Sequence, residues 1–367
     1  MTRVSHIKSI GTSVPEFKHQ QDDILRFMSR IYAFNEKERR TLKYLYHQSG
    51  IKSRYSVLPD YSEEPAGWTF YPPAENLEPF PSLEERMKIF NRHAVNLSAD
   101  AIRNCLENIM DIQEITHLIT VTCTGLSAPG LDLQLMELLN LPKNIFRTSV
   151  NFMGCYAAIH ALKLADTLAK TDPDARILIV CTELCTLHFQ QKATTDNITS
   201  SLLFGDGSAA VLVTGAGDQS EGFPLIGFYG EVIPRGKQDM SWALSSTGFA
   251  MTLTSYVPSL IEEDFEKLVN QALARQGFSR DQITRWAIHP GGRKILEAIE
   301  KSLSLPKEKL ETSYQILREY GNMSSPTILF VLKEILSDLK KTQNQKVFGA
   351  AFGPGLTMET FIVGSPS

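Results

Sequence analysis

Apolar residues along this chain fall into two recurring rhythms. Short unbroken apolar runs predict strands buried on both faces; longer stretches with apolar residues three and four apart predict helices. His6–Ile10 reads as a first strand closing at Gly11. Helices follow around Gln21–Tyr32 and Glu36–His47. Residues 56–81, rich in Pro, Tyr and Glu, predict a long surface excursion. Ser82 and Glu85 form a capping box opening a long helix, with Ala94, Leu97, Ala101, Ile102 and Cys105 on its apolar face. Ile115–Thr122, Arg147–Phe152, Arg176–Cys181 and Ala209–Thr214 read as core strands. Downstream, Arg285–Ile288 reads as a strand, helices begin at Arg293 and Pro326, and two strands flank Gly353-Pro354-Gly355. Alternating strands and helices predict an α/β fold. The polar, glycine-rich stretch Gly215–Gly222 divides the chain into halves, 1–215 and 216–367. Neither half can bury its sheet alone, so one integrated body is expected.

Composition narrows the partners. Among 367 residues, Lys+Arg 37 and Asp+Glu 41 give a net charge of −4, unlike the basic surface of a protein that coats nucleic acid or anionic lipid. No apolar run approaches the ~18 residues of a membrane helix, and the N-terminal segment carries no apolar signal core. A cytoplasmic protein is therefore expected. Five cysteines, an odd number in a long chain, predict reduced thiols, one of which can be reactive.

Three segments concentrate chemistry. Asn151-Phe-Met-Gly-Cys155-Tyr-Ala-Ala passes from a strand into a helix, placing Cys155 in a tight turn near a helix N-terminus, where backbone N–H groups favour a thiolate. A buried core cysteine is the alternative. His289, in Trp286-Ala-Ile-His-Pro-Gly-Gly, ends an apolar strand at the sheet edge where α/β enzymes place chemistry; a structural histidine would also fit. Asn322 lies in Gly-Asn-Met-Ser-Ser-Pro, entering a helix with Ser325 as expected N-cap; plain turn chemistry is the alternative.

Together with Leu-Phe204-Gly-Asp-Gly and Phe-Gly353-Pro-Gly-Leu-Thr-Met-Glu-Thr, these segments match one family in order and spacing over nearly the whole length. The chain resembles a type III polyketide synthase of the chalcone-synthase-like group. The resemblance implies a thiolase-like fold, layered α-β-α-β-α from two similar halves, and a homodimer. It implies Cys155, His289 and Asn322 as a catalytic triad acting on an acyl-CoA starter and malonyl-CoA, with no metal or redox cofactor. Phe204 aligns with a gatekeeper, Gly353 and Pro354 with a loop shaping the cavity wall, and Ser324 with the same cavity. Lys52, Arg54 and Arg293 are candidates for the CoA phosphates.

Several positions depart from plant chalcone synthases. Met251 stands where a second gatekeeper phenylalanine is expected, Trp242 where a glycine opens the cavity, His188 and Cys123 where threonines line it, and Ala128 where a methionine reaches the partner subunit. Cys123 and a bulky aromatic at Trp242 are similar to bacterial members, some of which prime with malonyl-CoA or another small acyl-CoA. A small starter is expected. Three potential ligands, Cys181, Cys185 and His188, fall short of a zinc set. The competing readings are a ketoacyl synthase III acting on carrier-protein thioesters and a non-catalytic binding protein on the same fold. His289-Pro-Gly-Gly in place of a His-Gln-Ala-Asn type segment weighs against the first, and the complete Cys-His-Asn set against the second.

Overall fold

Strand residues whose side chains point alternately to two apolar layers cannot show a polar face, which is why the core strands are nearly unbroken apolar runs. The computed structural model describes residues 4–32, 35–74, 76–218, 221–339 and 343–366. The first half runs β1 (His6–Ser13), β2 (Phe17–Gln20), α1 (Gln21–Ile31), α2 (Glu36–Gln48), β3 (Ser53–Ser56), α3 (Leu83–Leu106), β4 (His117–Thr122), α4 (Leu131–Leu138), β5 (Phe146–Asn151), α5 (Ala157–Thr171), β6 (Arg176–Leu184), α6 (Thr195–Leu203) and β7 (Asp206–Thr214). The second runs β8 (Phe223–Val232), β9 (Met240–Ser245), β10 (Gly248–Leu253), α7 (Val257–Arg275), β11 (Arg285–Ile288), α8 (Arg293–Leu303), α9 (Glu311–Tyr320), α10 (Thr327–Leu339), β12 (Lys346–Gly353) and β13 (Thr357–Gly364).

Nine strands form one sheet in the order β11-β12-β13-β8-β1-β7-β6-β4-β5. Among the described residues the two halves of the sheet meet through His6 and Ile7 of β1 against Pro224 and Phe223 of β8, with Leu225 N–H donating to Ser5 O at 2.9 Å. The connection from β7 to β8 crosses 215–222, of which 219–220 lie outside the described residues.

Helices α5 and α10 lie between the half-sheets. Their Ala158, Leu162, Leu329 and Leu332 share one core with Ile179 and Val211 of the first half and with Val347 and Phe361 of the second. The opposite strand faces turn outward. Leu178 and Leu212 meet α3 through Leu97 and Ile102, while Phe348 and Ile288 belong with Phe265 of α7 and Leu296 of α8. The result is five layers, helix, sheet, helix pair, sheet, helix.

Two expectations need correcting. β1 does not stop at Gly11 but runs to Ser13. A Cβ at Gly11 would lie 2.2 Å from the backbone N of Cys105, so this glycine marks the crossing of α3 over the strand, not a strand end. Residues 56–81 are a surface excursion over most of 62–80, but one anchored at buried residues. Asp60 is buried, and its carboxylate accepts the backbone N–H groups of Thr69, Phe70 and Tyr71 at 2.9–3.1 Å. That clasp folds Tyr61 and Tyr71 inward onto Phe27 and Phe189. The expected capping box at Ser82 and Glu85 is present, and all five predicted apolar residues of α3 are buried.

Candidate active site

The turn between β5 and α5 is built around backbone geometry that only certain residues accept. Phe152 and Gly154 have φ of 59° and 76°. A Cβ on Gly154 would also lie 2.1 Å from Cδ of Pro354, so the residue is excluded from bearing a side chain twice over. Cys155 follows in a single 3-10 turn, Gly154–Tyr156, that leads directly into α5. It is the one cysteine of the five that retains exposure.

Around its sulfur stand Ser324 Oγ at 3.5 Å and Asn322 Oδ1 and Nδ2 at 3.9 and 4.0 Å. Ser324 N–H donates to Asn322 Oδ1 at 2.8 Å, which fixes the amide and leaves Nδ2 as donor, one bond going to the Gly291 carbonyl at 3.3 Å. The backbone of Asn322 is stitched to the Phe204 segment. Asn322 N–H donates to Leu203 O at 2.9 Å, and Gly205 N–H to Asn322 O at 3.0 Å.

His289 caps β11 and extends its parallel ladder by donating its N–H to Ala350 O at 2.8 Å. Its ring is 1% exposed, and among the described residues neither Nδ1 nor Nε2 has a hydrogen-bond partner. Burial pulls its pKa down to about 3, so it is neutral. Burial likewise pushes the Cys155 thiol up to about 11, Glu183 adds to the rise, and the Ser324 and Asn322 contacts oppose it. Burial thus opposes the thiolate that the helix end would favour. No hydrogen bond joins His289 to Cys155 among the described residues; the link runs from Cys155 to Asn322 and from Asn322 to the His289–Gly291 turn.

Glu183, at the end of β6, is a residue the sequence reading missed. It is fully buried. Oε2 accepts from Cys123 N at 2.9 Å and Thr124 Oγ1 at 2.7 Å, and Oε1 from Ser325 Oγ at 2.7 Å. Burial pushes its pKa up to about 7 against these bonds. A carboxylate closing an apolar strand was the available signal. Ser325 accordingly gives its hydroxyl to Glu183 and is not the N-cap that was expected; α10 begins at Thr327.

Six of the residues expected in the cavity wall do surround Cys155: Cys123, Phe204, Trp242, Met251, Ser324 and Pro354, together with Cys185. The space they leave is small, about 30 Å³. Gly353 lies against this wall, where a Cβ would sit 2.5 Å from the Tyr156 ring. His188 differs from expectation. It lies behind Trp242, lining a neighbouring cavity that shares only Cys185, Phe204, Trp242 and Met251 with the first. Its Nε2 bonds Thr124 O at 2.8 Å, its Nδ1 accepts Phe249 N–H at 3.1 Å, and its ring stacks on Phe249 at 4.2 Å. Among the described residues no group of three or more His, Cys, Asp or Glu is arranged to hold a metal ion.

Comparison with known proteins decides the family. Residues 3–218 match the N-terminal domain, and 227–366 the C-terminal domain, of the chalcone and stilbene synthases. Type III polyketide synthase C of Arabidopsis thaliana is 30% identical over 370 residues, covering 97% of this chain and 94% of that protein. This chain is a type III polyketide synthase of the chalcone and stilbene synthase family. Two solved structures superpose on it throughout. PKS-I of the brown alga Ectocarpus siliculosus gives a TM-score of 0.93 at 27% identity, covering 100% of this chain and 99% of that one. The C-terminal type III domain of Steely1, a type I/III hybrid from Dictyostelium, gives 0.91 at 29%, covering 99% and 100%. The five layers are thus those of a thiolase-like fold, and the synthase is a condensing acyltransferase of a family that uses acyl-CoA substrates.

Of the three basic residues proposed for CoA phosphates, Arg54 is misplaced for that task. It is 3% exposed, donates Nε to Gln21 Oε1 at 3.0 Å and Nη1 to the Phe204 carbonyl. It braces the Phe204 segment from inside. Lys52 is exposed, and Arg293 is half-exposed, lies over Gly50 and pairs with Glu297 at 2.7 Å. No helix among the described residues is long and apolar enough to cross a membrane.

Proposed function

We propose that this synthase, as a homodimer, loads a small acyl group from CoA onto Cys155 and extends it with malonyl-CoA, closing the chain to a pyrone or phenolic product. In loading, the sulfur attacks the thioester carbonyl and CoA thiol leaves. His289, a neutral imidazole, accepts the Cys155 proton and returns it to the departing thiol. In extension, malonyl-CoA loses CO₂ and its electron pair becomes an enolate. The N–H of His289 and Nδ2 of Asn322 donate to the enolate oxygen, where a carboxylate in place of Asn322 would repel it. The enolate carbon attacks the Cys155 thioester, the sulfur leaves, and the β-ketoacyl-CoA is longer by two carbons. Carbon and electrons balance without a metal or redox cofactor.

The observation that carries this reading is the buried His289 ring with two unpartnered nitrogens. Each such group costs about 1–3 kcal/mol, a cost a fold retains where the group is used. Trp242 and Met251 in the wall, and the small space beside Cys155, support a small starter, malonyl-CoA itself among the candidates.

Purified synthase incubated with labelled malonyl-CoA, alone and with a panel of acyl-CoA starters, tests it, with Cys155→Ala as control and products read by mass spectrometry. Cys155-dependent polyketides are expected, their masses giving starter and length. Turnover of carrier-protein thioesters with none of any CoA ester would instead assign a ketoacyl-synthase III-like reaction.

A further inference from the structure

The loop after β4 is held on every side. Below it, Glu183 accepts the Cys123 N–H and the Thr124 hydroxyl. Above it, two side chains grip consecutive carbonyls: Trp242 Nε1–H donates to Cys123 O at 2.8 Å, and His188 Nε2 bonds Thr124 O at 2.8 Å. The tautomer of His188 follows, since its Nδ1 already accepts the Phe249 N–H. Sideways, the sulfur of Cys123 accepts the backbone N–H of Gly154 at 3.0 Å. Trp242 sits on β9, opposite Met251 of β10, in a hairpin that forms a separate two-stranded sheet. A continuous chain of bonds therefore runs from that hairpin through Cys123 to the residue preceding Cys155.

We propose that Trp242 is a positioning residue, its indole N–H setting, through Cys123, the Gly154–Cys155 turn. The inference rests on the reading of Cys155 as nucleophile. Thiol sulfur is a weak acceptor, so the Gly154 N–H stays bonded only while Cys123 is held in place. The Cys155 sulfur already lies 3.5–4.0 Å from its partners, and a small rotation of the turn loses them. Trp242 thus fills the cavity with its rings and orients the nucleophile with its nitrogen.

Trp242→Phe separates the two roles, keeping most of the ring bulk and deleting the N–H. Iodoacetamide labelling of Cys155, followed by peptide mass spectrometry across pH, should slow about fivefold, the worth of one hydrogen bond. The kcat for malonyl-CoA should fall by a similar factor with KM little changed. Cys123→Ala should reproduce the loss, Cys123→Ser should retain more of the rate because it keeps an acceptor, and Trp242→Phe should add little on top of Cys123→Ala. Wild-type labelling and kcat in Trp242→Phe, or equal rates in Cys123→Ala and Cys123→Ser, would overturn the proposal. Condensation persisting in Cys155→Ala would overturn the nucleophile reading itself, whereas labelling kinetics report the turn independently of it.

Discussion

Removing the charge of Glu183 is the sharpest test at the scale of single residues. The carboxylate is sealed from water and its presence helps push the Cys155 thiol upward. Glu183→Gln keeps the shape and deletes the charge, so Cys155 should alkylate roughly fivefold faster at pH 8. The same group shapes the pH dependence of stability. Its folded pKa, about 7, lies above the 4.5 of a free glutamate, so its contribution is full below about pH 4.5 and is lost as pH rises through 7. Asp206, raised from 3.8 to about 6 by burial, acts in the same direction one unit lower. His188 and His289 act oppositely: both are lowered from 6.5 to about 3, so their contribution is full above 6.5 and is lost as pH falls through 3. Between pH 4.5 and 6.5 the carboxylates and the histidines therefore oppose one another in the wild type, and the comparison with Glu183→Gln isolates the carboxylate: the variant's melting temperature should gain on that of wild type as pH rises from 4.5 through 7. Arg54→Ala and Lys52→Ala form a contrasting pair. The first leaves the buried Phe204 carbonyl short of a donor and should cost about 2–3 kcal/mol in urea unfolding. The second should leave unfolding unchanged, and a raised KM for CoA thioesters would assign Lys52 to the phosphates.

Among the elements, the β5–α5 turn is the least tolerant. Gly154→Ala meets both a positive φ and the Pro354 ring, and should cost about 2–4 kcal/mol in denaturant unfolding with loss of activity. Much of this was legible. The core strands announced themselves because both their faces are buried, and the capping box because its two side chains bond locally. The Cys155, His289 and Asn322 segments were legible for the same reason, each being a short turn with its own residue signature. What was not legible depended on distant partners. Arg54 reads as a surface cation until the Phe204 carbonyl, 150 residues away, is seen to accept from its Nη1 inside the fold. The 56–81 segment reads as solvent-facing until Asp60 is seen gathering backbone N–H groups nine to eleven residues on. His188 reads as lining the cavity at Cys155, and lines the neighbouring one instead, because the sequence does not reveal Phe249 stacked on it.

Considered as a whole molecule, the nucleophile-bearing helix α5 sits between half-sheets contributed by both parts of the chain. Chain 1–215 alone would leave the inner faces of its strands without α10, so unfolding should be a single cooperative transition. The surface carries an asymmetry as well. Phe146, on the edge strand β5, is 53% exposed, and Leu126, Leu133 and Leu138 are exposed in the neighbouring segment and α4. Apolar residues along an open edge suit a second copy of the chain. Sedimentation should give about twice the 41.0 kDa chain mass, and Phe146→Lys should shift it towards the monomer.

The two backbone bonds between the Phe204 segment and Asn322 carry one more consequence. No side-chain exchange deletes them, so the backbone on either side of Phe204 is not free to swing as a loop. If Phe204 gates the cavity, opening is expected to be a rotation of its ring about χ1 and χ2. Rotamer flips of exposed side chains take picoseconds to nanoseconds, while loop and lid movements extend into microseconds and milliseconds. A buried ring turns more slowly than an exposed one, yet a gate of this kind needs no backbone rearrangement to open.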